Sequence, residues 1–175
     1  MSRREAADRG TRLVRQALAH ADGLHNLAYH LSRNAAQAED LVQETYARAL
    51  GAAARFEEGS NLRAWLYRIL RNTFLDLHRR EHRARTDGGL DTAAQDPPDL
   101  QRGDEPGQVR AVVGHEIEEA MLALTDDART AVLLDLEGWS EAEIAECLGC
   151  APGTVKSRLF RARAALRERL RDHAG

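Results

Sequence analysis

Residues 86–108 read TDGGLDTAAQDPPDLQRGDEPGQ. They hold four glycines, three prolines and six acids, and Leu90 and Leu100 are their only large apolar residues. Such a segment cannot bury enough apolar surface to offset the entropy of ordering its backbone. It is expected to be a flexible acidic linker, and it divides the 175-residue chain into two pieces, 1–85 and 109–175. Each piece is too short for more than one small core.

Both pieces carry apolar residues at helical rather than strand spacing, which predicts an all-α chain of two small helical domains. In the first, Leu13, Ala17, Leu18 and Ala21 form one stripe. Leu24, Leu27, Ala28 and Leu31 form another, with Gly23 between the two. Leu41, Val42, Thr45, Tyr46, Ala49 and Leu50 predict a third helix, opened by Glu39 and Asp40 at its positive end. A turn at 56–61 precedes a long helix over 62–83, with Leu62, Leu66, Ile69, Leu70, Phe74 and Leu77 inward. In the second piece, Val109, Val112, Val113, Ile117, Met121 and Leu124 predict a helix. Thr125 caps the next, which carries Ala131, Val132, Leu134 and Leu136 and stops at Gly138. Ser140–Glu143 is a capping-box pattern opening a short helix with Ile144, Ala145 and Leu148. After a turn at Leu148-Gly149-Cys150, Pro152 suits the first turn of a last helix with Val155, Leu159, Ala162, Leu166 and Leu170 inward.

Charge is patterned along this plan. Residues 1–85 have 15 arginines against 10 acids, and 86–108 have one arginine against six acids. Residues 154–171 hold seven bases (Lys156, Arg158, Arg161, Arg163, Arg167, Arg169, Arg171) against Glu168 alone. Solvated surface helices usually mix signs, so this one-sided excess points to an anionic partner. A short capped helix, a glycine turn and a basic helix together make a helix-turn-helix pattern. Its Thr154, Lys156, Ser157, Arg158, Arg161 and Arg163 lie off the apolar stripe, free for base edges or phosphates.

Two further segments gain meaning from that context. Helix 62–83 interleaves Trp65, Tyr67 and Phe74 with Arg63, Arg68, Arg71, Arg79, Arg80 and Arg83. Aromatic rings stack on unpaired bases while cations follow the backbone, although a lone aromatic more often fills a core. The segment Ala38–Tyr46 combines an apolar stripe with Asp40, Gln43 and Glu44, a face suited to a basic partner helix, though an ordinary amphipathic helix reads the same way.

Several classes are set aside. No apolar run approaches the length of a membrane span, and the N-terminus has no apolar signal core, so a cytoplasmic location is expected. Cys147 and Cys150 form a C-x-x-C, but the pair straddles the helix-turn-helix turn, and a structural zinc site needs four ligands. No phosphate-loop, metalloprotease or nucleophile-elbow pattern occurs, so no catalytic residue, metal or cofactor is expected. Two other readings stay open: a conventional helix-turn-helix regulator binding duplex DNA as a dimer, and a thiol redox protein using Cys147 and Cys150.

The segments AEDLVQETYARAL (38–50) and LRAWLYRILRN (62–72) resemble region 2 of the extracytoplasmic-function (ECF, group IV) sigma factors of the sigma-70 family. SEAEIAECLGCAPGTVKSRLFRAR (140–163) resembles their region 4. The resemblance covers about 20–83 and 113–171. It implies a non-enzymatic transcription initiation factor with region 2 at 1–85, a linker at 86–108 and region 4 at 109–175. Asp40, Leu41, Gln43 and Glu44 would bind the β′ clamp helices of core RNA polymerase, and region 4 would lie at the β flap. Ser60, Asn61, Trp65, Tyr67, Arg68 and Asn72 would take the −10 element as single strand. Thr154, Lys156, Ser157, Arg158, Arg161 and Arg163 would read the −35 element. Asp76 departs from a phosphate-facing surface. An anti-sigma factor is the implied regulatory partner.

Overall fold

A computed structural model describes residues 3–88 and 105–172. Among them the chain is helical, with α1 (Arg3–Leu18), α2 (Ala21–Ser32), α3 (Ala35–Gly51), a 3-10 turn (Ala53–Arg55), α4 (Leu62–Gly88), α5 (Glu105–Leu122), α6 (Asp126–Leu136), α7 (Glu141–Leu148) and α8 (Pro152–Asp172). No strand occurs among the described residues. Most of the acidic segment 86–108 lies outside them. Its two ends are helical, because α4 continues through Gly88 and α5 begins at Glu105. Pro106 thus falls in the first turn of α5, where its missing N–H leaves no partner unsatisfied.

The first bundle packs α2, α3 and α4 around Leu24, Leu27, Ala28, Leu31, Ala38, Leu41, Ala64, Leu66, Leu70 and Phe74. α3 starts earlier than Glu39 and Asp40 suggest. Asn34 is its N-cap, its side-chain oxygen accepting the Gln37 N–H at 3.0 Å, and the alanines that follow extend the helix at little entropic cost. The two acids therefore stand in the second turn. Gly23 does not separate two helices either. The break comes at Ala19–His20, and Gly23 lies inside α2, where a Cβ would sit 2.1 Å from the Tyr67 hydroxyl oxygen. The glycine makes room for a tyrosine on α4.

The second bundle packs α5 to α8 around Ala131, Leu134, Ile144, Cys147, Val155, Leu159 and Ala162. Thr125 caps α6 and Ser140 caps α7 as the sequence predicts. Some predicted stripe residues are exposed instead: Leu18, Leu50, Leu77, Ile117 and Leu136. Leu18, Leu50 and Leu136 stand in the last turns of their helices.

The bundles are not separate in this structure. α4 lies against α7 and α2 against α6, so one continuous apolar cluster runs through both. Its bridge is Tyr67 of α4 against Trp139 of the α6–α7 turn, with ring centroids 4.7 Å apart and planes tilted 57°.

Candidate nucleic-acid interface

The helix-turn-helix is built by local chemistry. Ser140 Oγ accepts the Glu143 N–H at 3.3 Å, while Glu143 Oε2 accepts the Ser140 N–H at 2.9 Å. These bonds from Ser140 hold the Glu143 carboxyl below its ordinary value. α7 ends at Gly149 with φ 66°, the left-handed cap that lets the chain turn within three residues into α8. Val155, Leu159 and Ala162 bury the inner face of α8.

The predicted −35 residues then divide by environment. Thr154, Lys156, Ser157, Arg161 and Arg163 are exposed. Ser157 Oγ donates to the Gly153 carbonyl at 3.0 Å and Arg161 Nε to the Ser157 carbonyl at 3.4 Å, so both side chains lie along their own helix. Arg163 pairs with Asp135 of α6 at 2.5 Å. Arg158 is half-buried, 3.4 Å from Asp127 and 3.9 Å from Cys150 Sγ. Phe160, 74% exposed among these bases, was missed by sequence reasoning. Its signal was an apolar residue standing off the inward stripe. An exposed ring there can meet a thymine methyl in the major groove.

The predicted single-strand residues lie along the start of α4. Asn61 caps α4, its Oδ1 accepting the Ala64 N–H at 3.0 Å. Ser60 is exposed and donates to the Glu57 carbonyl at 2.6 Å. Trp65 is half-buried on Phe56, centroids 4.9 Å apart. Asn72 is exposed and accepts from Arg71 at 3.3 Å. Tyr67 is buried, and burial pushes its phenol up to about 12. Arg68 lies over the helix-turn-helix turn, its Nη2 3.5 Å from where a Gly149 Cβ would be. Asp76 is paired with Arg48 of α3 at 3.2 Å, which spends that acid within the bundle.

The structure therefore brings several α4 residues onto the second bundle. Arg63 lies over the Trp139 ring at 4.0 Å and 3.7 Å from Glu137. Arg71 donates to Asp127 through Nε at 3.0 Å and through Nη2. Asn61 approaches Glu143 at 3.5 Å, Asn26 donates to Glu137 at 3.3 Å, and Arg33 pairs with Glu118. Trp139, Asp127, Glu137 and Glu118 carried no signal of this contact at sequence level, and Glu143 was legible there only as a helix cap.

The α3 face is arranged differently. Asp40, Gln43 and Glu44 are exposed, and Leu41 between them is buried in the bundle core. Glu44 pairs with Arg48 one turn on at 2.7 Å. Cys147 is fully buried, which pushes its thiol up to about 12, a poor setting for thiolate chemistry. Among the described residues no three His, Cys, Asp or Glu side chains cluster as a metal site, and no helix is long and apolar enough to cross a membrane.

Known proteins share this plan. Residues 17–84 match the family described as Sigma-70 region 2, and residues 114–166 the one described as Sigma-70, region 4. The ECF RNA polymerase sigma factor SigE of Mycolicibacterium smegmatis is 38% identical over 169 residues, covering 93% of this chain and 62% of that protein, so the chain spans less than two thirds of its length. The ECF RNA polymerase sigma factor EcfG of Rhodopseudomonas palustris is 40% identical over 150 residues, 85% of this chain and 80% of that one. The sigma factor RpoE of Bartonella quintana, solved in complex with the anti-sigma factor NepR, has 36% identity and a TM-score of 0.71 over 90% of this chain and 95% of that one. CnrH, solved with the cytosolic domain of CnrY, shares the fold at 24% identity and a TM-score of 0.68. The two matched regions fall on the first and second bundles in that order, and the chain belongs with these relatives in the sigma-70 family as an ECF sigma factor.

Proposed function

We propose that the chain binds core RNA polymerase and directs it to a restricted set of promoters, in a cytoplasmic setting. Residues 1–85 act as region 2 and 109–175 as region 4, joined by the acidic stretch 86–108. Asp40, Gln43 and Glu44 of α3, over Leu41, dock on the β′ clamp helices, and region 4 sits at the β flap. Thr154, Lys156, Ser157, Arg158, Arg161 and Arg163 read the −35 duplex. Ser60, Asn61, Trp65, Tyr67, Arg68 and Asn72 take the −10 strand after melting. Extruding bases costs a few kcal/mol each, which stacking and a base pocket offset in part. Phosphodiester chemistry stays with the polymerase, and no cofactor is needed. An anti-sigma factor is the fitting inhibitor, since the RpoE relative is bound to one.

The observation that carries this reading is one chain holding two complementary surfaces: a basic helix-turn-helix facing solvent on α8 and an exposed acidic face on α3. A conventional regulator has use for the first alone. Either surface binds weakly by itself, and joining them on polymerase makes promoter binding avid and sensitive to spacing.

The test is run-off transcription with purified chain, core polymerase and sheared genomic DNA. Discrete transcripts that need the chain are expected, and the pair Asp40→Arg and Glu44→Arg should abolish them while leaving the circular dichroism spectrum unchanged. Clean duplex binding by the chain alone, without polymerase binding or transcripts, would transfer the protein to the conventional regulators.

A further inference from the structure

Asp76 is an acid on a helix rich in arginine, and the reading of α4 as a DNA surface leaves it without a role. Its Oδ2 accepts from Arg48 Nη1 of α3 at 3.2 Å, while Nε of the same guanidinium donates to Glu44 Oε1 at 2.7 Å. One arginine thus holds carboxylates from two helices. These bonds, that to Glu44 first and that to Asp76 second, raise the Arg48 pKa above its ordinary value. Asp40, Glu44 and Arg48 follow one another at four-residue spacing along one stripe of α3. Two carboxylates against one guanidinium leave the Glu44–Arg48–Asp76 set with a net negative charge, to which Asp40 adds.

How the guanidinium is divided decides what Glu44 can offer. An arginine with one carboxylate in reach can close on it through two parallel N–H bonds, which uses both oxygens and cancels the charge. Asp76 draws Nη1 away. Glu44 is then engaged through Oε1 alone, and its Oε2 has no partner among the described residues. Glu44 is also restrained by its bond to Arg48, so less side-chain freedom is left to lose when a partner binds.

We propose that Asp76 is a positioning residue for polymerase docking: acting through Arg48, it holds Glu44 in one orientation, with a free oxygen and an uncancelled charge for a basic partner helix. The proposal rests on the reading of Asp40, Gln43 and Glu44 as the docking face. Asp76 itself stands on α4, outside that face, and its acid serves α3 rather than DNA.

The test is the affinity of full-length variants for immobilised core polymerase, without DNA, at low and high salt and well below their melting transitions. Asp76→Asn keeps the shape and removes the charge. It should bind about fivefold more weakly at low salt, with a shallower salt dependence, and Asp76→Glu should recover most of the loss. In an Arg48→Met background, Asp76→Asn should change nothing further. A lowered melting temperature with native affinity for polymerase makes Asp76 a purely structural residue and overturns the proposal. So does an equal loss in the Arg48→Met background, since Asp76 then acts without Arg48. Glu44→Gln separates this claim from the reading beneath it. Native affinity there takes Glu44 out of the docking face and removes that reading. Weak binding by Glu44→Gln beside native binding by Asp76→Asn keeps the docking face and removes the positioning alone.

Discussion

A Cβ at position 23 would stand 2.1 Å from the Tyr67 hydroxyl oxygen but 3.4 Å from the ring carbon that bears it. The clash is therefore with one atom. Gly23→Ala gains about 1 kcal/mol in helix propensity but forces a buried ring to shift, at a cost of about 1–3 kcal/mol. The single variant should melt below the native chain, and adding Tyr67→Phe should recover most of the loss. A Gly23→Ala chain as stable as native would mean that Tyr67 moves freely. On α8 the expectation is opposite in kind. Arg161 is exposed and touches its own helix only through Ser157, so Arg161→Ala leaves stability within about 0.5 kcal/mol. It should weaken promoter use at the upstream element by about 1–3 kcal/mol, read as transcript yield on native against altered elements. Equal loss on every DNA sequence would reduce Arg161 to a phosphate contact.

The end of α5 depends on a side chain from the next helix. The buried guanidinium of Arg129 donates to the carbonyls of Met121 at 3.1 Å, Leu122 at 3.3 Å and Leu124 at 3.2 Å. Met121 and Leu122 close α5 and Leu124 lies in the turn just beyond it, so the guanidinium sits at the negative end of the α5 dipole, which suits a cation. Burial lowers the pKa of Arg129, with Asp126 opposing. Arg129→Met keeps the stem and strips the donors, and should cost about 1–3 kcal/mol in urea unfolding; an unchanged midpoint would show that water replaces the guanidinium. This capping was not legible in the sequence, whereas the Ser140–Glu143 cap was. The difference is range. A capping box, a Gly149 turn and the α8 stripe are written within one or two helical turns. Arg129 looks like any polar residue on an amphipathic helix until α5 is folded beside it. Asn34 hid for another reason, since the acids at 39 and 40 offered a competing start one turn later.

At the scale of the whole chain, the sequence announced two helical pieces and their order but not their contact. Gly23, Tyr67 and Trp139 meet across more than a hundred positions, beyond the reach of any local period. The contact should respond to acid. The Arg33 hydrogen bond lowers the Glu118 carboxyl below its ordinary 4.5, so the stability it contributes is present above that value and is lost as pH falls through the lowered one. His30 lies beside the same pair. Burial lowers it from 6.5, Arg33 adds to the effect, and Glu118 and Glu137 oppose it. A histidine held below its ordinary value costs stability as pH falls from about 6.5 downward. Both shifts have the same sign, so the melting temperature should decline below pH 6.5 and again in the carboxylate range. Glu118→Gln should flatten the second decline, and a melting temperature that rises on acidification would contradict the Arg33–Glu118 assignment.

Asp127, finally, has a consequence for inheritance. Because it is shared by Arg71 and Arg158, neither α4 nor α8 can change its arginine without altering what the other is paired with. In this chain the two bundles are pinned by one shared carboxylate. A chimera that imports a foreign second bundle must bring a carboxylate to that position, or Arg71 of α4 loses its partner.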